Sequence, residues 1–300
     1  MTVPSRPVCP GGPALSAVAS GCWRLADWQY DTSAVADWIR QSIDLGITTF
    51  DHADIYGDYR VTRLFGDALR AQPSLRDRIQ IVSKANIALP GDARPSHRIQ
   101  HYDSSATHLR RSVEQQLRDL HVDHLDVLLL HRPDPLMDAD EVAAAFLAMR
   151  DAGLVSHLGV SNFTVGQFDL LASRVGLVTN QVEHSLLALG PMYDGTFDRC
   201  QELRIRPMLW SPLGGGRLFS STEPAAVRVR EVAGEMAADY GVSLATLALA
   251  WLMAEPVGAI PVVSSSRREG LADAAAACEL TLDRQDWFVL LRAATGTDVP

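Results

Sequence analysis

The sequence predicts an α/β fold: a single (β/α)8 TIM barrel, one domain over residues 1–300, with long loops at its C-terminal face. Three observations predict it. Short apolar runs without polar alternation recur along the chain, as strands covered on both faces require. Longer amphipathic segments separate them, and strand–helix alternation is the pattern of parallel α/β folds. About eight such cycles fit into 300 residues, a length that α/β barrels reach as one domain. Neither GxGxxG after an early strand nor GxxxxGK[ST] occurs, which argues against an open dinucleotide-binding sheet and a P-loop fold.

The elements follow in order. A first strand is expected at 17–19. Thr32 and Ser33, as caps, precede the helical spacing of Val35, Ile39, Ile43 and Leu45; Gly46 ends that helix, and 47–50 reads as a buried strand. Further strands are expected at 79–82, 125–130, 155–160, 177–182, 205–210 and 257–263, with helices at 104–120, 141–149 and 165–171. Two long stretches interrupt the cycles. One covers 85–103 and carries Pro90, Gly91 and Pro95; the other covers 211–224 and contains Gly214-Gly215-Gly216. Loops that follow barrel strands lie on the catalytic face, so both are lid candidates.

Hydrophobic residues make up 47% of the chain, enough for a large core, and the net charge of -9 offers no electrostatic handle for nucleic acid or an anionic membrane. No run approaches the roughly 18 apolar residues of a membrane span, and no signal-peptide pattern opens the chain. Cys9, Cys22, Cys200 and Cys278 form no CxxC pair and read as free thiols of a reducing cytosol, so a cytoplasmic location is expected. No metal is expected either: HxH and HExxH are absent, and His121-x-x-His124 has no third ligand nearby. Oligomeric state leaves no mark in the sequence.

Polar residues at the C-terminal ends of barrel strands are the first candidates for chemistry. Asp51 follows the second strand, and Tyr56 lies in the loop after it. Lys84 ends the third strand and His131 the fourth. Ser161 and Asn162 end the fifth, Gln181 and Glu183 the sixth, Trp210 and Ser211 the seventh. A tyrosine with a pKa of about 10 is a poor acid near neutrality. A nearby ammonium is expected to lower that pKa, an aspartate to keep the lysine charged, and a histidine to orient a carbonyl oxygen. Such a set suits proton donation to a developing alkoxide. Each residue alone has an ordinary structural use: a cap, a loop tyrosine, a snorkelling lysine, a partner for a buried carbonyl. Their joint placement on successive strands is what points to catalysis. A Schiff-base role for Lys84 would need a depressed pKa, which Asp51 is expected to oppose.

The run Gly46-Ile-Thr-Thr-Phe-Asp51-His-Ala-Asp-Ile-Tyr56-Gly57 resembles the strand-two signature of the aldo-keto reductases. Val82-Ser-Lys84, Leu130-His131, Gly159-Val-Ser-Asn-Phe163, Asn180-Gln181 and Trp210-Ser-Pro-Leu213 continue the match in order. The tail Ala293-Ala-Thr-Gly-Thr-Asp-Val-Pro300 and the run His131-Arg-Pro-Asp-Pro-Leu-Met-Asp138 are similar to a bacterial branch, the YdhF-like oxidoreductases. The resemblance implies NAD(P)H-dependent reduction of a small-molecule aldehyde or ketone to an alcohol. It makes Tyr56 the general acid, Lys84 and Asp51 its tuning pair, and His131 the residue that orients the carbonyl. Ser161, Asn162 and Gln181 would hold the nicotinamide carboxamide, and Trp210 would stack on the ring. Gly21, Cys22 and Trp23 would lie beside cofactor and substrate, with Cys22 where threonine is often found. Trp23, Tyr56 and His131 would form the substrate pocket.

Under the same resemblance, Ser211, Leu213, Gly215 and Arg217 would meet the pyrophosphate. Ser264, Ser265, Ser266 and Arg267 would meet the 2′-phosphate of NADPH. NADH is the alternative cofactor, because Gly270 stands where relatives often carry arginine or glutamine, and Ala274 where many carry asparagine. Trp23, Trp28, Tyr30 and Tyr59 suggest an aromatic-lined mouth. Tyr59 has no proton-transfer role in this pattern, and His52 and His184 have no assigned one. A barrel of this kind that binds nicotinamide only as a regulatory subunit is the competing reading.

Overall fold

In the computed structural model, which describes residues 2–298, eight parallel strands close on themselves. They are β1 (Ala19–Gly21), β2 (Thr49–Asp51), β3 (Gln80–Ala85), β4 (Leu125–Leu130), β5 (Val155–Ser161), β6 (Asn180–Glu183), β7 (Met208–Trp210) and β8 (Ile260–Val263). The ring runs in sequence order, and β8 pairs back to β1 through Val262↔Ala19 and Val263↔Ser20. Val299 and Pro300, which close the quoted tail motif, lie outside the described residues, as does Met1.

Helices α1 (Thr32–Asp44), α2 (Val61–Ala71), α3 (Ala106–Leu120), α4 (Ala139–Asp151), α5 (Val165–Ala172) and α6 (Thr196–Leu203) follow the first six strands. Two helices, α7 (Pro224–Asp239) and α8 (Leu244–Met253), follow β7; α9 (Arg268–Ala277) follows β8, and α10 (Arg284–Thr295) packs on α7. Among the described residues no single helix is long and apolar enough to cross a membrane.

Every expected strand is present, but several begin later than their apolar run. Ile205 and Val257 are buried before the ladders of β7 and β8 start, and β1 begins at Ala19 instead of Ala17. Apolar character reports burial, whereas a ladder starts only where two backbones meet. The cap of α1 is Asp31, whose carboxylate accepts from Ala34 N at 2.8 Å, so Thr32 and Ser33 lie inside the first turn. Ser105 caps α3 by accepting from His108 N.

Two antiparallel pairs were not expected from the sequence. Ile87–Ala88 pairs with His101–Tyr102 inside the 85–103 stretch. Ser5–Pro7 pairs with Ala14–Ser16 near the N-terminus. Val8 and Leu15 of this second hairpin are fully buried in one cluster with Ala19, Val82, Val127, Leu129, Met208 and Ile260. The hairpin therefore plugs the lower end of the barrel.

The inward residues of that cluster alternate with outward ones. Val127 and Leu129 face the interior, while Leu128 and Leu130 join the layer between strands and helices. The period of two then sends Lys84, two beyond Val82, and His131, two beyond Leu129, into the upper interior.

Helices α2 and α3 meet at Gly66, where a Cβ would collide with the Asp119 carbonyl oxygen and the Leu120 Cα. Backbone cannot retreat as a flexible side chain can. Gly66→Ala should lower the unfolding free energy by about 1–3 kcal/mol in urea titrations. An unchanged midpoint would contradict this close approach.

Candidate active site

Four side chains converge above the apolar plug. Lys84 Nζ, with the side chain 1% exposed, donates to both Asp51 carboxylate oxygens at 2.8 Å, to the His52 carbonyl at 2.9 Å and to Tyr56 Oη at 3.0 Å. From the opposite wall, Gln181 Nε2 of β6 donates to Asp51 Oδ1 at 2.7 Å. An ammonium has three hydrogens, and here the acceptors are carboxylate, carbonyl and phenol. No lone pair is left on Lys84, so the geometry does not favour a Schiff-base nucleophile. Tyr56 Oη accepts from Lys84, so the ammonium does not use up the phenol's own hydrogen. The His131 ring stands edge-on to Tyr56, with centroids 6.2 Å apart.

The electrostatics correct one expectation. Burial, reinforced by the Asp51 charge, pushes the Tyr56 phenol well above its ordinary range; the neighbouring ammonium does not bring it down. Burial also lowers the Lys84 pKa, and the opposing pull of Asp51 only limits the shift. Tyr56 is thus a loaded acid at neutral pH instead of a partly ionised one. Burial, with the charges of Lys84 and Arg132, pushes the His131 imidazole well below 6.5, so the ring is neutral. Its Nδ1 is buried without a partner among the described residues. The ring proton is therefore best placed on Nε2, where a ligand in the cavity can accept it.

A cavity of about 930 Å³ opens over these groups. Asp51, Tyr56, His131, Gly21 and Trp23 line it. Ser161, Asn162, Gln181 and Trp210 line it as well, and there Trp210 Nε1 donates to Asn162 Oδ1 at 2.8 Å and Ser161 Oγ to the Gln181 carbonyl. Ser211, Leu213 and Gly215 after β7 and Ser264, Ser265, Ser266 and Arg267 after β8 complete this part of the lining. Both lid candidates reach the cavity, the first through Ile87 and Leu89, the second through Gly216 and Phe219.

Three of the expected cofactor side chains are turned to other uses. Cys22 does not line the cavity: it is fully buried behind it, with Sγ 3.2 Å from His52 Nε2. Arg217 lies near Glu183 and Glu223, at 3.9 and 3.8 Å, and is likewise outside the lining. Ser265 Oγ closes its own turn, donating to the Arg267 carbonyl and accepting from Arg267 N, and Gly270 leaves room for it. Of the four mouth aromatics, Trp23 and Trp28 line the cavity. Tyr30 Oη instead donates to the Ser266 carbonyl, and Tyr59 Oη accepts from Leu89 N in the first lid. His52 and His184 pack: His52 lies against Phe65, its pKa lowered by burial and by Lys84 to about 3, and His184 pairs with buried Glu255 at 2.7 Å.

Sequence reasoning missed Arg24, Arg132 and the 243–245 segment, all of which line the cavity. Arg132 had a signal, since it directly follows His131. Arg24 had none: its guanidinium bridges loops 191 residues apart by donating to the Gly215 carbonyl at 2.7 Å.

The Aldo/keto reductase family model matches residues 17–290. The chain is 46% identical to the oxidoreductase YdhF of Escherichia coli, covering 98% of each. It is 43% identical to a 6-dehydroglucose reductase of Agrobacterium fabrum, covering 95% of this chain and 96% of the relative. A solved aldo/keto reductase of Klebsiella pneumoniae, in complex with NADP and acetate, superposes with a TM-score of 0.76 at 27% identity, covering 93% and 91% of the two chains.

Behind the site, Asp54 Oδ2 accepts from Ser112 Oγ at 2.6 Å, while its Oδ1 is buried with no partner among the described residues. Gln116 Nε2 donates both to Ser112 Oγ and to the Lys84 carbonyl, which ties this carboxyl to the strand that carries Lys84. Burial raises the Asp54 pKa from 3.8 to about 7 despite the Ser112 hydrogen bond. The folded state therefore holds a proton that the unfolded chain has released, and this stability is lost as pH rises toward 7. Asp54→Asn keeps the neutral form. In urea titrations at a series of pH values, wild type should lose stability relative to Asp54→Asn between pH 3.8 and about 7 and run parallel above. A constant difference would contradict the burial of this carboxyl.

Proposed function

The chain belongs to the aldo/keto reductase family, and from that membership we propose that it catalyses the reversible, NADPH-dependent reduction of a small aldehyde or ketone to an alcohol. The observation that carries the reading is Tyr56 at the wall of the cavity with its Oη accepting from Lys84 Nζ at 3.0 Å, and burial favours the phenol form.

The residues fit a dinucleotide. Ser264 Oγ is buried with no partner among the described residues, and Ser266 and Arg267 follow it at the N-terminus of α9, where anions are favoured. Ser161, Asn162 and Gln181 would hold the carboxamide, and Trp210 would lie along the ring. Ser211, Leu213 and Gly215 would run beside the pyrophosphate. NADPH is the preferred cofactor in this reading because Arg267 can meet a phosphate with two N–H donors. Reduced nicotinamide, when bound, supplies a hydride.

The chain's own residues do the rest. His131 Nε2–H and the Tyr56 hydroxyl both donate to the substrate carbonyl oxygen and fix it. As negative charge develops on that oxygen, the Tyr56 proton moves to it. Lys84 already donates to Tyr56 Oη and takes up the charge left there, while Asp51 keeps Lys84 in place. In the alcohol-oxidising direction the same proton returns to Tyr56. The sugar aldehyde in the name of the Agrobacterium relative suits the polar groups, Asp58 and Arg132, that line this cavity, and supports a small oxygenated aldehyde as substrate.

A panel of aldehydes with NADPH tests the reading. Tyr56→Phe should lower kcat by about 100-fold or more, because it removes the transferred proton. Binding of NADPH, followed by quenching of tryptophan fluorescence, should survive. Wild type that binds NADPH but reduces nothing would favour the regulatory reading, and full activity in Tyr56→Phe would remove the acid from its assigned role.

A further inference from the structure

Arg132 is the next residue after His131, and its place is tightly held. Asn86 Oδ1 accepts from Arg132 N at 3.1 Å, and Asn86 Nδ2 donates to the Arg132 carbonyl at 2.9 Å. Asn86 is fully buried and has a φ of 103°, a conformation that side-chain-bearing residues rarely adopt. Strain of this kind persists where the surroundings over-determine it. Here it clamps the backbone that carries both His131 and Arg132.

The guanidinium itself lacks a polar partner. Among the described residues no carboxylate lies within 4.0 Å of it, and its side chain makes no hydrogen bond. It lies over the Trp210 ring, with Cζ 5.5 Å from the ring centroid. It nevertheless lines the same cavity as Tyr56 and His131. Of the other arginines that line it, Arg24 holds the Gly215 carbonyl and Arg267 stands at the N-terminus of α9, where the proposed cofactor phosphate would meet it; Lys84 beneath is matched by Asp51. Arg132 is thus an unmatched positive charge with five N–H donors, on rigid backbone, beside the groups that receive the carbonyl oxygen.

We propose that Arg132 binds substrate and selects aldehydes that carry an anionic oxygen group, a carboxylate or phosphate, a few bonds from the reacting carbonyl. The proposal rests on the carbonyl-reduction reading above. Its physical basis is the strength and planarity of guanidinium–oxyanion pairs, which exceed those to neutral hydroxyls. Trp210 supplies a flat platform that keeps the guanidinium in the cavity instead of in solvent.

Matched substrates test it. Wild type should prefer 4-oxobutanoate to butanal, or glyceraldehyde 3-phosphate to glyceraldehyde, by about 10- to 100-fold in kcat/KM, and the larger of the two ratios identifies the anion. Arg132→Gln should bring that ratio close to one, mainly through KM, and Arg132→Lys should keep part of it. Raising the salt concentration should narrow the wild-type preference. Equal losses on charged and neutral substrates in Arg132→Gln would make Arg132 a structural residue and overturn the proposal. So would a wild-type preference for neutral aldehydes. Butyrate binding, read by tryptophan fluorescence because Arg132 lies over Trp210, provides a second arm. It should be present in wild type and lost in Arg132→Gln even if no aldehyde is turned over, in which case only the reductase reading fails. Butyrate binding that is absent in wild type, or unchanged in Arg132→Gln, overturns the anion site itself.

Discussion

The site depends on one buried ion pair. Asp51 and Lys84 lie inside the barrel, and taking each charge out of water costs several kcal/mol. Only near-complete pairing offsets that. The carboxylate receives Lys84 on both oxygens and Gln181 on one, and the ammonium spends its remaining hydrogens on the His52 carbonyl and Tyr56. These bonds join β2, β3 and β6 across the lumen. A shift of one residue in β3 would turn Lys84 outward and leave Asp51 buried and unmatched, so the pair also fixes strand register.

The same pair sets the chemistry. Tyr56 is buried against a carboxylate that repels a phenolate, yet it accepts a hydrogen bond from a cation that would stabilise one. The balance at rest favours the phenol. When a carbonyl oxygen nearby gains charge, the ammonium is already aimed at the atom that must lose its proton, and no reorganisation is needed. Neutral His131 complements this arrangement, since an imidazolium edge-on to Tyr56 would add a charge that burial, Lys84 and Arg132 all oppose.

Much of this was legible in the sequence because barrels put function at strand ends. Lys84 and His131 each follow an apolar run, and the period of two carries them inward above Val82 and Leu129, which the run itself identifies as core; Asp51 and Gln181 were legible from their places at the ends of strands two and six. What was not legible depends on contacts between distant segments. Cys22 faces His52 because β1 packs beside β2, and Arg217 turns to Glu183 and Glu223, neither visible from spacing. Ser265 resembled a phosphate ligand by type, yet its hydroxyl closes its own turn. The N-terminal plug was hidden because Pro4, Pro7 and Pro10 interrupt any apolar alternation there, although Val8 and Leu15 complete the lower core. Asn86 gave no signal at all, since its role lies in an unusual φ.

The central claim is that Tyr56 rests as a phenol, held so by burial and by Asp51. The absorbance of tyrosinate, titrated in wild type and in Tyr56→Phe, addresses it directly. Up to about pH 10, the ordinary tyrosine value, the two curves should coincide, because Tyr56 contributes no phenolate in that range. A tyrosinate that forms in wild type near neutral pH and is missing from Tyr56→Phe would contradict the account, and would show that Lys84 outweighs both burial and Asp51.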